Sequence, residues 1–120
     1  MGENKMYEFA DSCKDCAFQA LAISGVESKE LYADELSGRK TVLTRMAPGA
    51  VIPKHKHTHV DETVYVLEGD FVEEGVSYGP GSYFVGKAGT AHGPHASTNG
   101  CLVLTHWTGG AVDFIECNLD

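Results

Sequence analysis

A chain of 120 residues with 42% hydrophobic side chains is long enough to bury one core and too short for two. Its formal net charge of -8, with no clustered basic stretch, argues against a nucleic-acid partner and leaves the charge of a small substrate open. No apolar run approaches the ~20 residues that cross a bilayer, and the opening MGENKMYEFADS has neither an apolar signal core nor an Arg-rich amphipathic stretch, so a cytoplasmic chain without membrane contact is expected.

In chain order, residues 1–40 read as an N-terminal arm. Within it, CAFQALAISGVESKELYADELSG suits either a short helix near residues 14–22 or an extended arm that adds a strand, since its apolar spacing follows neither period well. Cys13 and Cys16 have C-x-x-C spacing, but Cys101 and Cys117 supply no second close pair, so an arm or subunit-contact segment is favoured over a metal or redox role. From residue 41 onward the texture changes to short β-type runs punctuated by glycine. Strands are expected over 41–46, 50–57, 62–68, 70–73, 76–78, 82–85, 101–107 and 111–116, with breakers such as Pro48-Gly49, Gly69, Gly75 and Gly79-Pro80-Gly81 between them. Cys101, in the apolar run CLVLTHW, is expected to be a small core residue.

Chemistry concentrates in KHKHTHVDE, residues 54–62. Successive strand side chains alternate faces, so His55 and His57 point the same way, about 7 Å apart along the strand, which is a good start for a metal site. Around them stands a longer pattern: Gly49, five residues, His55-x-His57, four residues, Glu62, six residues, Gly69. It resembles the first motif of the cupin superfamily with every defining position filled. The second cupin motif is recognisable in GSYFVGKAGTAH, where Gly81, Gly89 and His92 fall in register, while Lys87 replaces the family's proline and Ala96 its asparagine.

The resemblance implies an all-β fold, a cupin (RmlC-like jelly-roll) antiparallel β-barrel over residues 41–120 with the short arm before it. It also implies His55, His57, Glu62 and His92 as ligands of one divalent transition metal ion, a borderline donor set that suits Fe, Mn, Ni, Cu or Zn and leaves positions for water, oxygen or substrate. The spacing to Gly49 and Gly69 excludes a His57/His59 pair and favours Glu62 over Asp61, placing His59 and Asp61 in a connecting turn. His95, beyond Gly93-Pro94, is expected to be aimed away from the metal, and His106 to be a core or surface residue. Thr44, Tyr65, Tyr83, Thr105 and Trp107 are candidates to orient the ligands, and Arg45 and Lys87 are weak candidates to hold an anionic group.

Within the superfamily, VLEGDFVEE, YGPGSYF and AGTAHGPHAS followed by Gly100-Cys101 look like the ChrR-like cupin subgroup. That subgroup groups the cupin domain of an anti-sigma factor with small stand-alone cupins similar to acetylacetone and dihydroxyacetophenone dioxygenases. A stand-alone role is implied, with two readings. The preferred one is a dioxygenase acting on a small dicarbonyl or hydroxyketone; the alternative is a non-enzymatic metal-binding sensor or regulatory module. A homodimer is expected, because cupins commonly pair through edge strands.

Overall fold

The computed structural model describes residues 6–7 and 9–117. Among these residues twelve strands follow one another: β1 (Gln19–Ala20), β2 (Val26–Ala33), β3 (Lys40–Met46), β4 (Val51–Ile52), β5 (His55–Lys56), β6 (Glu62–Gly69), β7 (Phe71–Glu73), β8 (Val76–Tyr78), β9 (Tyr83–Gly86), β10 (His95–Ala96), β11 (Cys101–Trp107) and β12 (Ile115–Glu116). Every pairing is antiparallel, in a six-stranded sheet ordered β1-β2-β3-β11-β6-β9, a four-stranded sheet ordered β4-β10-β7-β8 and the pair β12-β5. This is a jelly-roll arrangement whose sheets are not closed by hydrogen bonds into a barrel.

Alternation builds the core. Val42 and Met46 on β3, Val64 and Val66 on β6, and Cys101 and Val103 on β11 are buried, while their chain neighbours turn outward. Glu62 shares the inward phase of Val64 and Val66, and Thr105 that of Cys101 and Val103, so each strand carries a polar residue at the same end of an otherwise apolar face. Direct pairing of Thr105 with Val64 and of Trp107 with Glu62 aligns those ends.

Two expected strands are shorter than the sequence suggests. Residues 50–57 divide into β4 and β5 around Pro53, which has no N–H to give a ladder. In 111–116 only Ile115–Glu116 pair, and the preceding Val112–Phe114 form an irregular strap that lines the central cavity. No helix forms among the described residues, so the helical option for 14–22 is not taken. Instead β2 pairs with β3 from Val26 to Ala33, and the segment before it lies over their outer face. Lys29 Nζ donates to the Cys13 carbonyl at 2.7 Å, and the Arg45 guanidinium sits 3.9 Å from the Phe18 ring centroid.

Gly69 is a close approach as well as a left-handed residue. Its φ is +80°, and a Cβ there would lie 2.0 Å from the Gly100 carbonyl oxygen and 2.7 Å from Cys101 Cα. Gly75 has a similar φ of +78° with nothing within 4 Å of the same position. Gly75→Ala should therefore cost only the conformational penalty of about 1–2 kcal/mol. Gly69→Ala should cost a further ~1–3 kcal/mol, because backbone must move to admit the methyl group. Denaturant unfolding of the two variants checks this, and equal losses would contradict it.

Candidate metal centre

A backbone bridge assembles the site. His55 N–H donates to the His92 carbonyl at 2.9 Å and His92 N–H donates to the His55 carbonyl at 2.8 Å, so the two residues face each other as a hydrogen-bonded antiparallel pair. Their side chains leave the same face, and the two Nε2 atoms lie 3.2 Å apart. His57, two residues beyond His55, returns to that face, and Glu62 reaches it from the first position of β6. His92 Nε2 lies 3.2 Å from Glu62 Oε1, and His57 Nε2 lies 3.4 Å from Glu62 Oε2. The structure thus brings together His55, His57, Glu62 and His92.

The outer ring nitrogens are tied to backbone. His55 Nδ1 donates to the Pro53 carbonyl at 2.8 Å, and His57 Nδ1 donates to the Asp113 carbonyl. A carbonyl only accepts, so in the neutral rings the proton is on Nδ1 and the Nε2 lone pairs face inward. Trp107 Nε1–H donates to Glu62 Oε2 at 2.9 Å and holds the carboxylate. Behind His92 a Cβ on Gly86 would lie 2.7 Å from the ring's Nδ1, so this imidazole occupies space that only glycine leaves free.

These residues fit a metal ion. Nitrogen or oxygen donors about 2.1 Å from a common ion and separated by 90–110° lie about 3.0–3.4 Å apart, as the three inner distances do. His57 Nε2 is buried and has no hydrogen-bond partner among the described residues, because its approach to Glu62 lacks hydrogen-bond geometry. An ion would satisfy it. Imidazoles and one carboxylate are a donor set for first-row divalent metals.

One placement corrects the sequence reading. His95 is not aimed away from the centre: His55, Glu62, His92 and His95 each offer a donor atom, all within 4.8 Å of one another. The Gly93-Pro94 turn leads into β10, which pairs with β4 and β7 and carries His95 inward. A two-residue strand is too short to show a period in sequence. Phe114 was hidden for the same reason; it stacks on His55 with centroids 4.2 Å apart, and Thr58 N–H donates to Asp113 Oδ1 at 2.7 Å to anchor the strap.

The remaining candidates separate cleanly. His59 is exposed, and Asp61 accepts from Ala88 N–H at 2.8 Å and lies 3.3 Å from Lys87 Nζ, tying down the loop that leads to His92. His106 is on the outer face of β11, 2.8 Å from Thr41 Oγ1. Arg45 pairs with Glu27 at 3.0 Å. Thr44, Thr105 and Trp107 line the central cavity, whereas Tyr65 and Tyr83 are exposed on the other side of the sheet.

Electrostatics follows the burial. Desolvation pushes His55 down from 6.5 to about 4, and positive charge on His92 or His95 would push it further. Burial alone would raise Glu62, but the close approach of the His57 and His92 rings outweighs it and keeps the carboxyl well below the usual range. Burial likewise opposes protonation of His57, yet the Glu62 carboxylate and the Asp113 carbonyl set it above its ordinary value. His55 is therefore neutral in the folded chain where the unfolded chain protonates it, so its contribution to stability is full above pH 6.5 and is lost as pH falls toward 4. The opposite contribution of His57 is complete below its unfolded value and leaves that acid window to His55. The thermal midpoint of metal-free protein should fall across that window, and His55→Gln should flatten the fall; an unaltered slope would contradict this account.

Antiparallel jelly-roll sheets enclosing a cluster of histidines and a glutamate at one end define a cupin. The chain belongs to the family of ChrR cupin-like domains, whose model matches residues 7–109. No curated protein sequence matches it. Among solved structures, the polyketide cyclase RemF from Streptomyces resistomycificus is similar at 18% identity and TM-score 0.74, over 95% of this chain and 88% of that one. An acetylacetone dioxygenase from Acinetobacter johnsonii is similar at 14% identity and TM-score 0.73, over 97% and 90%. The structure of Rhodobacter sphaeroides SigE in complex with the anti-sigma ChrR matches at 23% identity and TM-score 0.65, over 79% of this chain and 51% of that one.

Proposed function

We propose that the chain is a metal-dependent dioxygenase-type oxidoreductase that acts on a small dicarbonyl or hydroxyketone, with His55, His57, Glu62 and His92 holding one divalent transition metal ion. The observation that carries this reading is that the donor cluster opens onto a cavity of about 310 Å³ rather than being sealed in the core. His55, His57, Glu62 and His95 lie at one end of the cavity, and its walls are mainly apolar, including Val42, Met46, Ile52 and Phe71. Such a space suits a small, mostly uncharged molecule.

A metal bound there would supply Lewis acidity and a common template for substrate and oxygen. The chain's own residues supply the rest. Backbone carbonyls hold the outer nitrogens of His55 and His57 so that Nε2 faces the site, Trp107 keeps Glu62 in place, and Phe114 stacks on the His55 ring. The named activity of the acetylacetone dioxygenase with the same fold supports the substrate class. The family's description supports a second reading, a regulatory metal-binding module that exchanges ligands to alter contact with a partner protein.

Purified protein loaded in turn with Fe, Mn, Ni and Cu should consume oxygen with small β-dicarbonyls or hydroxyacetophenones. Silence across that panel, together with capture of a partner that depends on bound metal, would replace the enzyme with the regulatory module. His57→Ala and Glu62→Ala should lose most bound metal and His59→Ala should keep it, measured by elemental analysis; equal loss in all three would remove this ligand set.

The reading includes a cytoplasmic homodimer. All four cysteines are free thiols, which suits a reducing compartment. Strand β9 ends the large sheet with Tyr83 and Val85 exposed beside Tyr65 and Leu67 of β6, an apolar edge suited to a second copy. Light scattering should give twice the chain mass, and Val85→Lys should halve it; a monomeric wild type would exclude the dimer.

A further inference from the structure

We infer that His95, held by Glu73, is an additional metal donor, so that the centre offers four imidazoles and a carboxylate. The inference rests on the metal-site reading above. It begins with backbone register: β10 lies between β4 and β7, placing His95 opposite Ile52 on one side and opposite Glu73 on the other. Directly opposed residues of antiparallel strands project to the same face, and His95 Nδ1 lies 2.5 Å from Glu73 Oε1.

The ring is confined. It stacks on Phe71 with centroids 5.1 Å apart and on His92 with centroids 5.3 Å apart, and only 7% of the residue is exposed. A ring nitrogen lies within 4.8 Å of the donor atoms of His55, Glu62 and His92. The contact with Glu73 is short but lacks hydrogen-bond geometry among the described residues, so Nδ1 is buried beside a carboxylate and not yet satisfied by it. A small ring rotation would complete that bond, place the proton on Nδ1 and leave Nε2 as the lone-pair nitrogen. A carboxylate behind an imidazole is the arrangement that orients a histidine toward a metal and raises its basicity.

The plainer account is a buried His–Glu pair that only packs the core. Desolvating such a pair costs more than its attraction returns unless the remaining groups are satisfied, and apolar residues would fill this volume more cheaply. A fourth imidazole beside three others has a direct use once an ion is present. Occupancy by His95 also bears on the reaction, since five protein donors leave less room for a bidentate substrate than four. A dicarbonyl would then bind by displacing a donor.

Cobalt(II)-loaded protein tests this without reference to turnover. Ring N–H protons of ligating histidines are strongly shifted by the paramagnetic ion and vanish in heavy water, so the wild type should show four such signals, and His95→Gln should lose one. His95→Gln should also bind cobalt about 10-fold more weakly or worse, and Glu73→Gln should weaken binding to a smaller degree, both measured by chelator competition. Three signals in the wild type, or a His95→Gln protein with unchanged signals and affinity, would overturn the assignment of His95 and leave the four-residue centre intact. A wild type that takes up no cobalt would instead remove the metal-site reading and this inference with it. The wild-type signal count decides the matter even where a variant fails to fold.

Discussion

The pair of backbone hydrogen bonds between His55 and His92 is the constraint on which the centre depends. Thirty-seven positions separate these residues in the chain, and two bonds of 2.9 and 2.8 Å make them direct neighbours. Because opposed residues share a face, register alone places both imidazoles on one side of the local ribbon. Nearby bonds protect that register. Gly89 N–H donates to the His57 carbonyl at 2.7 Å, and Asp61 accepts from Ala88, so the loop before His92 is stitched to the turn after His57 at two further points. Asp61 thus contributes through the backbone it holds, while its neighbour Glu62 contributes a carboxylate.

That division between adjacent acids is a matter of strand phase. Glu62 begins β6 on the inward face it shares with Val64 and Val66; Asp61 stands one residue earlier and points out. A slip of one residue would exchange them and expose both valines, so the hydrophobic core and the donor set enforce the same register. This is why so much of the centre is legible in the sequence. The alternation of β6, the i, i+2 pair His55 and His57, and the glycines that end the strands are all local patterns, and the fold preserves them.

His95 and the strap at Val112–Phe114 are not legible in the same way. His95 lies within a two-residue strand and the strap directly before another, where period-2 alternation has no length in which to appear. Their positions come from long-range pairing: β10 with β4 and β7, and β12 with β5. The arm is a milder case. Residues 26–33 contain Val26, Lys29, Tyr32 and other residues with no clean alternation, because their outer face is covered by the preceding chain rather than by water. Lys29 is buried for that reason, its ammonium satisfied by the Cys13 carbonyl.

Burial, carbonyl acceptors and the carboxylate together leave the folded chain with a concentrated need for a cation. Glu62 is held ionised in a place that solvates it poorly, and the Nε2 atoms of His55 and His92 are 3.2 Å apart. Without an ion, His92 Nε2 stands 3.2 Å from both His55 Nε2 and Glu62 Oε1, and His57 Nε2 has no hydrogen-bond partner among the described residues. An ion bound there would satisfy these inward-facing atoms at once. Since the unfolded chain lacks this arrangement, ion binding stabilises the fold by RT ln(1 + [L]/Kd), about 2.7 kcal/mol at a hundredfold excess over Kd. The groups that are least comfortable in the metal-free fold are therefore the ones that couple its stability to metal.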